Sequence, residues 1–290
     1  MLDTDAASLA AFLVPGVVIP TGLLVLAFRA PTPRQVELWA ATCGVTITHV
    51  NGPLVRAHLG RVRRWRSLAA FPFWWLSFLP MVVGSRFPLL MAGPPLGMVM
   101  YLAGALVAEL TVRPRAGGSV KQAPLTPRTA RDYGPAWIRI LPRVLLTVAA
   151  LLVLVPRPDD TTTTPMMRRG TLLSLVAGVA LVILAEITMR RIVDRPQRSG
   201  DPDILAADDA LRATGISMAA SIALLVAIGA CSAALTPRYS QVSGPLSTVL
   251  FVPVLVGYGL SIALITVILN QSTWGYRRRH RQAPPVEAVP

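Results

Sequence analysis

Apolar runs of about the length of a bilayer crossing recur along the whole chain, and the connections between them are short and crowded with arginine. A helix needs about 20 mostly apolar residues to cross a hydrocarbon layer roughly 30 Å thick. The expected fold is therefore an all-α, polytopic transmembrane helical bundle. Composition points the same way: 53% of the residues are hydrophobic and 14% charged, where a soluble domain carries about 25% charged residues. Mean hydropathy is +0.56.

Eight spans are read from the pattern: Ser8–Phe28, Val36–Val55, Leu68–Gly84, Pro88–Leu110, Ile138–Val155, Thr171–Met189, Gly215–Leu235 and Leu246–Asn270. The second is the most polar, with Glu37, Thr46, Thr48, His49 and Asn51, and Gly52-Pro53 can break it. The third carries Phe71, Phe73, Trp74 and Trp75, which suit an interfacial aromatic belt. Residues 1–276 form one bundle, and 277–290 a basic, Pro-rich, disordered cytoplasmic tail. Met1 to Ser8 contain Asp3 and Asp5 and no base, so the first run reads as a retained helix, not a signal peptide.

Orientation follows from the basic residues. With the N-terminus inside, 21 of the 28 fall on the cytoplasmic side, as the positive-inside rule requires. A seven-span arrangement lays the second segment on the cytoplasmic surface and puts the N-terminus outside. It moves Arg29 and Arg34 inside and leaves five basic residues outside. Eight spans are preferred because Leu38–Val50 is too apolar to lie flat. Both termini are then cytoplasmic, in a multi-pass protein of the cell inner membrane. The net charge of +14 is almost pure arginine, with Lys121 the single lysine. In a polytopic protein such charge orients the chain and meets anionic lipid, so no nucleic-acid partner is expected.

Two helix ends echo one another: Ala108-Glu109-Leu110-Thr111-Val112-Arg113 and Ala185-Glu186-Ile187-Thr188-Met189-Arg190, 77 residues apart in numbering. They suggest a parallel internal repeat. Each is followed by a helix-start signal, Thr126-Pro127 and Asp201-Pro202. Short cytoplasmic helices are expected at Pro127–Tyr133 and Pro202–Arg212, the second lying on the membrane surface.

Glu109 and Glu186 are the leading functional candidates, because an ionisable group in a span costs about 2.5–3.5 kcal/mol at the helix centre. Each also precedes an arginine by four residues (Arg113, Arg190), the order that favours an ion pair along one helix. Arg139 and Arg143, one turn apart, could hold an anionic headgroup or substrate, or snorkel to the interface. His49 and Asn51 could line a polar path or bond between helices. Gly215, Ala219, Ala223, Ala227 and Cys231 recur every fourth residue, a ridge for close helix packing inside the bundle or at a dimer seam. Gly93-Pro94-Pro95, and Pro253 with Gly257 and Gly259, interrupt the fourth and eighth spans, a device transporters use at cavities. Asp201, Asp203, Asp208 and Asp209 form an acidic cluster without a diphosphate-binding box around it.

There is no Gly-rich loop ending in Gly-Lys-Ser/Thr, no His-Glu-x-x-His and no Gly-x-Ser-x-Gly. The two cysteines, Cys43 and Cys231, read as packed thiols. No cofactor, metal or catalytic residue is expected. The arginine-rich loops, with Ala207-Asp208-Asp209-Ala210-Leu211-Arg212 and Leu125-Thr126-Pro127-Arg128, make most of the chain resemble polytopic membrane proteins of GC-rich bacteria. That resemblance brings no activity with it. The expected function is a transport component, a permease-like subunit for a small molecule or lipid. Having no nucleotide site, it would work with a separate cytoplasmic ATPase or an ion gradient. The alternatives are a membrane scaffold or sensor that recruits a regulatory partner through its arginine loops, and a lipid-modifying enzyme using Asp201–Asp209.

Overall fold

The computed structural model describes residues 18–83, 93–111, 133, 136–155, 165–196 and 201–239. Among them every regular element is helical and no strand occurs. The helices are α1 (Ile19–Phe28), α2 (Pro33–Cys43), α3 (Gly52–Val83), α4 (Gly93–Leu110), α5 (Trp137–Leu154), α6 (Pro165–Asp194) and α7 (Pro202–Tyr239). The expected eighth span, residues 127–132 of the first expected cytoplasmic helix, and the tail lie outside the described residues.

Among the described residues, three helical stretches are long and apolar enough to cross a membrane: Trp137–Leu154, Arg169–Asp194 and Pro202–Leu235. Their burial sets the architecture. Of 18 residues in the apolar stretch of each helix, 61% are buried in α7, against 22% in α5 and 28% in α6, so α7 is the central helix of the described residues. It packs against α4, α5 and α6. Ala219, Ile222, Ala223, Leu224 and Ala227 of α7 meet Leu106, Leu146, Ala149, Val182 and Ala185 in one core. Small side chains permit this approach. A Cβ on Gly178 of α6 would lie 3.3 Å from that of Ala230, and the Cys231 thiol donates to the Leu145 carbonyl at 2.9 Å.

The outer faces of α5 and α6 are left apolar and exposed, among them Val144, Val148, Leu151, Leu172, Leu173, Val176 and Ile183. A water-soluble surface rarely carries an apolar patch of this kind. Lipid is the solvent that suits it, consistent with a membrane protein.

The second expected span, Val36–Val55, is not one helix. Thr32 and Gln35 form a reciprocal capping box (Gln35 N–H to Thr32 Oγ1, 3.4 Å; Thr32 N–H to Gln35 Oε1, 3.1 Å), with Pro33 in the first turn. The helix stops at Gly44, which adopts the left-handed conformation (φ 70°, ψ 31°) open to a residue without Cβ. Eleven residues rise only about 16 Å, half a hydrocarbon thickness. A second reciprocal pair follows: Thr48 N–H donates to Asn51 Oδ1 (2.8 Å) and Asn51 N–H to Thr48 Oγ1 (3.3 Å), opening the turn into α3. Val36, Cys43, Val45 and Val55 then pack on Ala207 and Ala210 of α7 as a small separate cluster.

One further expectation changes. Pro202–Arg212 does not lie on a membrane surface as a separate helix; it is the first part of α7, continuous over 38 residues, with Ala207, Ala210 and Leu211 buried. Among the described residues Gly93-Pro94-Pro95 stand at the beginning of α4; residues 88–92 of the expected fourth span lie outside them. A proline in the first turn gives up an N–H that would have had no helical partner.

Candidate functional site

Near the C-terminal end of α4, four elements meet around one carboxylate. Glu109 is 8% exposed. Its Oε1 lies 3.2 Å from Nε2 of His58 on α3, and its Oε2 lies 3.2 Å from Nη2 of Arg195, which follows the last turn of α6. The fourth element is α7, where a Cβ on Gly215 would come within 3.3 Å of the Glu109 carboxyl carbon and 3.0 Å of Ile192. The carboxylate occupies the space that a side chain at 215 would fill. Arg195 also reaches the Glu109 carbonyl (3.5 Å), putting positive charge where a helix C-terminus favours it.

One turn before Gly215 on α7, Arg212 does a different task. It is 2% exposed, and its guanidinium donates to the carbonyls of Ile192 (3.3 Å), Arg195 (2.7 Å) and Pro196 (3.0 Å). Pro196 cannot continue α6, so these carbonyls have no helical N–H to accept. Arg212 supplies the missing donors, and its charge is balanced by Asp208, bonded to Nε at 2.9 Å. On the facing helix, Arg66 lies over the Tyr101 ring (5.6 Å) and within 3.2 Å of Met218 Sδ.

Glu186 does not share this environment. It pairs with Arg143 of α5 (Nε to Oε1, 2.6 Å), whose side chain is 54% exposed. The partner of Glu186 is thus on a neighbouring helix and is not Arg190 of its own. Both residues border a shallow groove of about 440 Å³ walled by Leu146, Val179, Val182, Ile183 and Ile187, with Arg190 at one end. The two matched helix ends therefore differ: one glutamate is buried between an imidazole and a guanidinium, the other is partly exposed and paired with one guanidinium. Arg113, the i+4 neighbour of Glu109, lies outside the described residues.

The remaining candidates are scattered. His49 is exposed in the α2–α3 connection. Asn51 is fully buried there and donates to the carbonyls of Thr46 (2.9 Å) and Asp203 (3.4 Å), tying the connection to the start of α7. Arg139 is half-buried, with an Nε that has no hydrogen-bond partner among the described residues. Gly215, Ala219, Ala223 and Ala227 are buried along α7. In the acidic cluster, Asp201 accepts the Asp203 N–H (2.8 Å) ahead of α7, and Asp208 is held by Arg212. Among the described residues no three His, Cys, Asp or Glu side chains come together as a metal site.

Sequence reasoning missed His58, Arg195 and Arg212. For Arg212 a signal existed: Asp208 precedes it by four residues, the spacing already noted at the two glutamates. For His58 and Arg195 none did, since each reaches Glu109 only through the packing of separate helices. No protein-family model, curated protein or solved structure matches the chain.

Proposed function

We propose that the chain is a transport component of the cell inner membrane, a permease-like subunit with Glu109 as its coupling carboxylate. The observation that supports this reading is the junction itself. A carboxylate and an imidazole can exchange a proton, and any change of charge there acts at once on α3, α4, α7 and the end of α6. An ionisable group at the end of an apolar helix is costly, and such groups mark ion or substrate paths. The sequence holds no nucleotide-binding loop, so energy comes from an ion gradient or a separate ATPase.

The topology that goes with this reading has seven spans: α1, α3, α4, α5, α6, α7 and the expected Leu246–Asn270. The N-terminus is outside and the C-terminus cytoplasmic. Arg29 and Arg34 then join the cytoplasmic arginines, leaving five of the 28 basic residues outside. The support is local. Arg63, early in α3, donates to the carbonyls of Arg29 and Ala30 (3.4 Å each), so the α1–α2 turn and the arginine-bearing start of α3 share one side.

The test uses purified protein in liposomes loaded with a pH-sensitive dye, under an imposed inside-negative potential. Wild-type protein is expected to admit protons faster than protein-free liposomes, and Glu109→Gln, inserted to equal abundance, to fall to the protein-free rate. Equal fluxes from the two proteins remove the coupling role. The scaffold alternative draws on the arginine-lined surface near α3; stable co-purification with a regulatory protein, in place of an ATPase, would favour it.

A further inference from the structure

The α1–α2 turn and the first turns of α3 enclose a hollow of about 750 Å³. Arg29, Arg56, Arg61 and Arg64 line it, with Phe28 and Trp65 among its apolar walls, and no carboxylate among the described residues lines it. Arg63 stands apart from this set. Its guanidinium is occupied by the carbonyls of Arg29 and Ala30 and by the Gln35 side chain, which fixes the turn against α3. Arg64 is placed over the Phe28 ring, 5.9 Å from its centre.

Four guanidinium groups around one hollow repel each other, and an anion among them relieves all four repulsions together. A planar guanidinium binds phosphate through two parallel N–H donors, so four of them suit two phosphates better than one. The anion's remaining part is indicated by what adjoins the hollow. Leu24, Val25 and Phe28 of α1 are exposed, Val25 at 60% and Phe28 at 67%. Apolar surface therefore runs from the arginines along the helix. A soluble anion leaves that face in water; a lipid covers it.

We propose that this hollow is a headgroup site for a lipid carrying two phosphates, its phosphates held among Arg29, Arg56, Arg61 and Arg64 and its chains lying on the Leu24–Val25–Phe28 face of α1. The proposal rests on the membrane reading of the chain, and owes nothing to the role given to Glu109.

The experiment titrates detergent-solubilised full-length protein with cardiolipin, phosphatidylglycerol or phosphatidylcholine and follows thermal unfolding. Cardiolipin is expected to act at the lowest concentration. The triple variant Arg56→Gln, Arg61→Gln, Arg64→Gln should lose that preference, by about fivefold for each arginine neutralised. The matching triple lysine variant keeps the charges and should keep cardiolipin ahead of phosphatidylcholine. Three lipids acting alike, or a lysine variant as indifferent as the glutamine one, overturns the proposal. So does inorganic diphosphate binding as tightly as cardiolipin, because the apolar face would then contribute nothing. If wild-type protein fails to enter phosphatidylcholine vesicles at all, the membrane reading beneath the proposal falls, a result separable from any lipid preference.

Discussion

Arg212 shows what a single side chain can hold together. It closes the C-terminus of α6 from a buried position on α7. Replacing it by glutamine removes the charge partner of Asp208 and the donors to three carbonyls. Breaking a buried pair in this way costs about 3–5 kcal/mol. Arg212→Gln should therefore lower the thermal midpoint in detergent strongly. Asp208→Asn should lower it less, because the three carbonyl bonds survive. Equal losses would show that the pair, and not the capping, is what matters. The same residue marks a limit of reading by spacing. Four-residue separation finds partners along one helix, as for Asp208 and Arg212. It cannot find Arg143 for Glu186, or His58 and Arg195 for Glu109, because those partners arrive from other helices.

Among the helices, the contact between α3 and α4 depends on Gly104. A Cβ there would overlap the Trp65 carbonyl and lie 2.7 Å from Arg66 Cα, both backbone atoms that cannot rotate aside. Gly104→Ala should push the two helices apart and cost about 1–3 kcal/mol or more, as overpacking does. Its readout is the unfolding midpoint, beside that of Gly229→Ala, where a Cβ meets nothing within 4 Å among the described residues. If both variants unfold together, the close approach is not needed. Helix ends were partly legible in the sequence. Asp201-Pro202 does open α7. The box Thr32-Pro33-Arg34-Gln35 and the stop at Gly44 were equally present, but hydropathy counted over 20 residues hid an 11-residue helix with its own caps.

For the molecule as a whole, the proposed seven-span topology, in which the eleven-residue α2 does not cross, predicts which connections share a side. In a protein with Cys43 and Cys231 replaced by serine, single cysteines at 34 and 61 should react alike with a membrane-impermeant thiol reagent, both from the cytoplasmic side. Tags at the two termini should report opposite sides. Labelling of 34 and 61 from opposite faces would restore the eight-span arrangement and detach the α1–α2 turn from the start of α3.

Among the described residues, local sequence was enough to show that the elements are helical and largely apolar, and roughly where α5 and α6 run, because backbone hydrogen bonds within a helix and the cost of burying charge in lipid are set by residues close in the chain. Tertiary packing alone decided that α7 lies at the centre, that Glu109 meets His58 and Arg195, and that four arginines line one hollow. Each of these depends on side chains far apart in sequence coming within a few ångströms, and hydropathy, which measures affinity for lipid, carries no term for which helix becomes a neighbour.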